Sequence, residues 1–251
     1  MSTAPLFLVD VLPAFGAVRL DGPEGRHAAT VKRLRAGETV LLADGRGGLA
    51  HAVVDTTGRD TVGLTITGRR TLDPPAPRVL LAQALVKGDR GELAVELATE
   101  AGVDAVLPWR AARCVARWED GPRGEKALAR WRSTAREAAK QARRPWLPEV
   151  SEPVSTAVLA RRVAAAACTL VLHEGAAGPL VEVDLPASGD LLLVVGPEGG
   201  ITDAEVAELV AAGARPVRLG PEVLRASTAG AVALGALGVL TRRWSVTDPG
   251  R

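Results

Sequence analysis

Residue types able to build a ligand site concentrate in two segments near the C-terminus, Leu191–Val206 (LLLVVGPEGGITDAEV) and Val217–Gly230 (VRLGPEVLRASTAG). In each, a short apolar run suited to a buried strand breaks at Gly-Pro and opens into a turn. The first turn carries Gly196, Gly199 and Gly200, which let a ligand approach the main chain closely, with Glu198 among them. The second carries Arg225, followed by Ser227 and Thr228. Two strand ends opening into glycine-bearing loops are a common way for an α/β sheet to make a ligand site. Recognition there would run through main-chain donors and acceptors. No G-x-G-x-x-G follows a strand and no G-x-x-x-x-G-K-[ST] occurs, so neither a Rossmann dinucleotide site nor a P-loop is expected.

These loops need strands to end on and helices to run into. Thr202 and Glu205 have the spacing of a capping box. The helix they open, from about Asp203 to Ala212, should stop at Gly213. Ser227 or Thr228 is expected to cap the last helix, whose Ala- and Gly-rich sequence suits close packing against its backbone. Upstream, strands at 79–85, 103–109 and 169–174 alternate with helices at 91–102, within 118–144 and at 154–167. Strands alternating with helices predict an α/β unit with a mostly parallel sheet. Before Thr71, short apolar runs separated by Gly-containing turns predict a small β-domain. The proline-dense Leu72–Arg78 is the expected linker, giving domains at 1–73 and 78–246.

The chain has 251 residues, 47% hydrophobic and 24% charged, an ordinary composition for a soluble globular protein. Two cysteines, Cys114 and Cys168, build neither a disulfide framework nor a zinc site. The N-terminal residues lack a basic stretch followed by a long apolar core, and Ala229–Leu240 is too short to span a bilayer. A cytoplasmic location, with no membrane partner and no metal, is therefore expected. The net charge of +2 conceals polarity: residues 110–144 hold eleven Lys/Arg against four Asp/Glu, a net of +7, which leaves −5 elsewhere. A basic segment of this kind suits a polyanionic partner.

Taken together, VGPEGGITDAE and LGPEVLRASTAG resemble the SPOUT methyltransferases, specifically the RsmE family. Leu85–Trp109 is similar to that family's first strand–helix–strand unit, Glu137–Val150 to its Gln-Arg-Pro segment, and Arg26–Gly48 to its basic strand-turn segment. The likeness runs in order through most of the chain. The second loop departs from the family's usual Arg-Ile-Leu-Arg-Thr-Glu-Thr: here it reads Glu222-Val-Leu-Arg-Ala-Ser-Thr228, with Ser227 where the family has Glu.

The resemblance implies a PUA-like β-barrel at the N-terminus, a SPOUT domain with a trefoil knot, and a homodimer. It implies methylation of N3 of a uridine in 16S ribosomal RNA of the small subunit, with S-adenosylmethionine as donor. The cofactor would lie against Leu172, His173 and Glu174; against Gly196, Pro197, Glu198, Gly199, Gly200 and Ile201; and against Leu219, Gly220, Leu224, Arg225, Thr228 and Ala229. Uridine N3 is a weak acid, so its methylation needs a base, or a cation that stabilises the anion. Arg225 is the candidate cation and Glu198 the candidate base. His173 could titrate near neutrality, though a structural hydrogen bond suits it equally. Arg26, Lys32, Arg33, Arg35, Arg132, Arg136, Lys140, Arg143 and Arg144 are the expected phosphate contacts. With 3% aromatic residues and no Tyr, extensive base stacking is not expected. Two other readings fit the same residues: a non-catalytic RNA-binding or ribosome-assembly factor, and a SPOUT enzyme acting on tRNA.

Overall fold

Apolar residues alternate with polar ones through the first seventy residues, and the chain there forms strands with one buried face. The computed structural model describes residues 4–245; the expected domain limits at 1 and 246 lie outside them. The first strands are β1 (Leu6–Leu8), β2 (Gly16–Leu20), β3 (Thr39–Ala43), β4 (Gly48–Thr57) and β5 (Val62–Thr71). They form one sheet in the order β1-β3-β4-β5-β2. β1 runs parallel to β3 and the other pairs are antiparallel. Val62, Leu64 and Ile66 of β5 meet Val40, Leu42, Ala52, Val54 and Phe7 in one apolar cluster. Irregular register in β4 at His51/Ala52 and Val54/Thr56 bends that strand, as bulges do. A short helix, α1 (Gly22–Arg26), precedes one wide helical turn, His27–Val31.

The chain divides into two compact units, the first comprising residues up to 74 together with 139–147. The returning segment belongs with the first unit because Trp146 lies against Gly47, where a Cβ would come within 2.5 Å of the indole. The Gly47 amide also donates to the Pro145 carbonyl at 3.0 Å.

The second unit, 75–138 and 148 onward, holds β6 (Arg78–Ala84), α2 (Arg90–Glu100), β7 (Ala105–Trp109), α3 (Pro122–Gln141, whose final residues count with the first unit), β8 (Glu149–Val150), α4 (Thr156–Ala165), β9 (Cys168–Leu172), β10 (Asp190–Val195), α5 (Asp203–Ala211), β11 (Arg215–Val217) and α6 (Ala226–Leu240). Its six strands lie in the order β11-β9-β10-β6-β7-β8, every pair parallel. Parallel strands covered on both faces are apolar throughout, and β10 shows why. Leu191, Leu193 and Val195 enter one core with Val95 of α2, Leu128 and Trp131 of α3, and Leu234 and Leu237 of α6. Leu192 and Val194 enter the opposite core with Leu159 of α4 and Leu209 of α5. The period of two thus feeds two cores, and the result is a sheet between helical layers.

The end of the described chain closes on the beginning of this unit. The Arg243 guanidinium donates to the Asp104 carboxylate at 2.6 Å, to the Gly102 carbonyl at 2.8 Å and to the Pro77 carbonyl. Asp104 also accepts from the Val79 amide at 2.8 Å. Both charged side chains are less than a tenth exposed, so each supplies the other with the partner that a buried charge requires.

The last helix begins differently from expectation. Neither Ser227 nor Thr228 caps it: Arg225 occupies the cap position in extended conformation and no side chain bonds the first turn. The Arg225 carbonyl accepts from the Thr228 and Ala229 amides, both at 2.9 Å. Ser227 and Thr228 therefore lie inside the first turn, and the Thr228 hydroxyl turns back to the Arg225 carbonyl at 3.2 Å. Similarly, the apolar run expected to extend β11 ends at Val217, because Arg218 leaves the sheet to pair with Gly178 and Leu180.

Candidate active site

β9, β10 and β11 are neighbours, so the loops leaving their C-terminal ends gather at one edge of the sheet, where open parallel sheets bind ligands. Residues 172–174, 196–201 and 217–227 surround a cavity of about 1150 Å³. All of the residues expected to meet the cofactor line it except Thr228, whose hydroxyl is engaged as described.

The loop after β10 is held from several sides. Gly196 sits where a Cβ would come within 2.5 Å of the Ile201 side chain, so only glycine lets Ile201 fold over it. Gly200 has φ +75°, and its amide closes the turn onto the Pro197 carbonyl at 2.9 Å. The expected capping box is formed: Thr202 and Glu205 bond one another's amides as well as pairing their side chains. Glu205 does more than cap. Its buried carboxylate also accepts from the Ala112 amide at 2.8 Å and the Thr156 hydroxyl at 3.1 Å, and the Trp109 indole N–H donates to that hydroxyl at 3.2 Å. Burial alone would raise the Glu205 carboxyl, but the Ala112, Thr202 and Thr156 donors outweigh it and hold the group below the usual carboxylate range. Arg113 adds a bond from its guanidinium to the Gly199 carbonyl at 3.1 Å. Glu198 accepts from the Lys87 amide at 3.3 Å, which fixes one carboxylate oxygen.

The loop after β11 is built otherwise. From Pro221 to Arg225 every residue is exposed, and Leu219–Leu224 make no hydrogen bond among the described residues. The α6 N-terminus, without a side-chain cap, presents its first amides toward this loop, where a helix favours negative charge and acceptor groups. In the third segment, His173 Nδ1 accepts from the Gly175 amide at 3.1 Å, the structural bond considered for it.

Arg90, Arg113 and Arg218 join Arg225 in the lining, together with Glu174, Glu198, Asp203 and Glu222. Sequence reasoning did not place the first three at the site. Arg113 carried a signal, since it follows the Ala105–Trp109 strand on the same sheet edge as the loops. Arg90 and Arg218 carried none.

The expected phosphate contacts divide between the units. In the first, Arg26 is exposed, 3.6 Å from Asp60. Lys32, Arg33 and Arg35 stand exposed in one turn, while Arg143 and Arg144 are half-buried. Lys140 requires correction as a displayed charge: its side chain is 7% exposed, its ammonium lies 3.1 Å from Glu24, and His27 is 3.4 Å away. In the second unit, Arg132 is exposed but bonds the Val150 carbonyl at 3.1 Å and Glu152 at 2.9 Å, and Arg136 is half-buried.

Comparison with known proteins agrees with this architecture. Residues 74–238 match the model of the RNA methyltransferase domain and residues 20–67 that of the RNA methyltransferase PUA domain. The ribosomal RNA small subunit methyltransferase E of Mycobacterium tuberculosis is 54% identical over 249 residues, covering 97% of this chain and 95% of the relative. Its Bacillus subtilis namesake is 30% identical, covering 93% of each. Among solved structures, ribosomal RNA small subunit methyltransferase E from Neisseria gonorrhoeae, bound to S-adenosyl methionine, superposes with a TM-score of 0.84 at 28% identity, over 95% of this chain and 98% of that one. A putative methyltransferase from Legionella pneumophila, in complex with the same cofactor, gives 0.85 at 27% identity, over 94% and 98%. With an N-terminal PUA domain, a parallel α/β domain and relatives matched over nearly their whole length, the chain belongs to the ribosomal RNA small subunit methyltransferase E family.

Proposed function

We propose that this protein transfers a methyl group from S-adenosylmethionine to N3 of a uridine in the 16S ribosomal RNA of the small subunit. The observation that carries the reading is the cavity at the ends of β9, β10 and β11, enclosed by the two Gly-Pro loops, in a chain whose solved relatives from Neisseria gonorrhoeae and Legionella pneumophila are bound to this cofactor.

The residues present fit the cofactor. The cavity, about 1150 Å³, exceeds the usual range for a single small ligand, leaving room for a target base. Glycine at 196, 199 and 200 keeps main-chain groups accessible for an adenine edge. Glu174, Glu198, Asp203 and Glu222 supply carboxylates for the ammonium and sulfonium charges, and Arg90, Arg113 and Arg218 supply partners for the tail carboxylate. Bound there, S-adenosylmethionine supplies an already activated methyl, so positioning and exclusion of water are the protein's main tasks.

Arg225, on the exposed loop, lays its guanidinium against the uracil carbonyl oxygens and stabilises the anion formed as N3 loses its proton. Glu198, anchored through one oxygen by the Lys87 amide, accepts that proton at the other. The exposed basic turn Lys32–Arg35 and the flanking arginines grip phosphates and set the register of the RNA. A homodimer is part of this proposal: Val232, Val239 and Leu240 leave one side of α6 apolar and exposed, with Trp244 just beyond. A cytoplasmic location follows from the substrate, and no helix of the described residues is long and apolar enough to cross a membrane.

The test is incubation with labelled cofactor and small ribosomal subunits from a strain lacking the enzyme, followed by mass spectrometry of the rRNA. Label at uridine N3 is expected. Binding without label would favour a non-catalytic assembly factor, and label in tRNA alone would move the substrate.

A further inference from the structure

We propose that a second cavity, on the other side of the segment carrying Arg113, holds an unpaired nucleotide of the RNA substrate next to the one being methylated. This rests on the RNA methyltransferase reading above. The cavity, about 380 Å³, lies between Leu85 at the end of β6 and the 110–120 segment, with Arg110, Cys114, Arg117, Trp118 and Glu119 in its wall. Its volume is in the lower part of the range for small-ligand sites.

Its position relative to the cofactor cavity comes from one short stretch of chain. Ala112 and Cys114 line the second cavity and Arg113, between them, lines the first. One stretch of chain thus borders both cavities, and a ligand in the second lies next to the first. This stretch is fixed at both edges. The Arg110 amide donates to the Val154 carbonyl at 2.9 Å, the Cys114 amide to the Ala111 carbonyl at 3.1 Å, and the Ala112 amide to Glu205. Across the rim, the Arg110 guanidinium meets Asp120 at 3.0 Å. The site therefore exists before a ligand arrives.

The wall chemistry selects the ligand class. Trp118 is half-buried. Its indole and that of the buried Trp131 pack in a T-shape, with ring centroids 4.8 Å apart and planes at 80°, so the core restrains the orientation of a residue that also lines the cavity. Asp120 neutralises Arg110, which leaves the exposed Arg117 as the cation beside the indole and Glu119 as an acceptor. An indole held for stacking with a guanidinium next to it is the recognition mode of unpaired RNA, where bases stack on aromatic rings and Arg meets phosphate or a base face. In a chain so poor in aromatic residues, recognition here amounts to one stacked base.

The test compares wild type with Trp118→Ala, Trp118→Phe and Arg117→Gln for methylation of small subunits, for affinity toward a short unpaired RNA, and for affinity toward S-adenosylhomocysteine. Trp118→Ala and Arg117→Gln should each raise the KM for RNA about tenfold, with the effect on KM rather than kcat. Trp118→Phe should recover most of the loss, and S-adenosylhomocysteine binding should be retained in all. Because Trp118 also packs on Trp131, the exposed Arg117→Gln change keeps the test independent of folding. Unchanged RNA affinity in both Trp118→Ala and Arg117→Gln would overturn the inference. A wild type that binds RNA in a Trp118-dependent way but transfers no methyl would instead overturn the catalytic reading and leave the nucleotide site standing.

Discussion

The loops after β10 and β11 begin with the same Gly-Pro step and face the same cavity, yet they are held in opposite ways. The first is bonded from beneath and from the side by Glu205, Arg113 and the Lys87 amide. The second runs exposed from Pro221 to Arg225 into a helix without a side-chain cap. The difference separates two tasks. A preorganised loop presents fixed main-chain dipoles at no cost in ordering when the ligand binds. A less constrained one can adjust its side chains around a large, charged substrate, as binding loops commonly do. Substitutions in the first should therefore register as lost stability and cofactor affinity, and substitutions in the second as lost turnover with the fold intact.

The largest effect that would sharpen this contrast is expected at Arg225. Arg225→Ala should lower kcat by two orders of magnitude or more, as removal of a charge-stabilising donor does, while S-adenosylhomocysteine affinity by calorimetry changes little. Lost cofactor binding in a native fold would erase the division. Next comes Glu205→Ala, which removes the carboxylate half of the capping box and strands the Ala112 amide and Thr156 hydroxyl; about 2–4 kcal/mol of stability should be lost in denaturant unfolding. Acid titration probes the same group. Its carboxyl is lowered in the folded state, so its contribution is complete above the unfolded carboxylate pKa of about 4.3 and disappears as pH falls through the lower folded value. Glu205→Gln should flatten that acid limb, and an unchanged limb would mean that other carboxylates set it. Arg113→Gln, which loses one bond to the Gly199 carbonyl, should weaken cofactor binding a few-fold, about 1 kcal/mol. Smallest of all, Val223→Ser on the exposed loop should shift stability by no more than about 0.5 kcal/mol; a larger loss would show that the second loop is as firmly built as the first.

Much of this was legible in the sequence because it is local. The unbroken apolar run Leu191–Val195 announced a buried strand, and the three-residue spacing of Thr202 and Glu205 announced a capping box. What the sequence hid is what partners at long range decide. Glu205 reads as a cap, but its ties to Ala112 and Thr156 cross 93 and 49 residues. Lys140 reads as one more charge on a basic helix, and only Glu24, brought beside it by the fold, shows it to be interior. Ser227 and Thr228 have the side chains that favour a cap, yet an extended Arg225 starts the helix earlier and takes that position without one.

The bonds from Arg243 have a consequence for synthesis. They join groups as much as 166 residues apart, reaching back to Pro77 and Asp104 at the start of the methyltransferase domain. A ribosome making this chain finishes β6 long before it makes the arginine that neutralises Asp104. Until then the bonds of Arg243 to Asp104, Gly102 and Pro77 cannot form, and α6, which walls the cofactor cavity, has not been added. The N-terminal β-sheet needs no residue beyond Thr71 for its strand pairing and can form early. Completion of the catalytic half therefore waits until the ribosome has made α6 and Arg243.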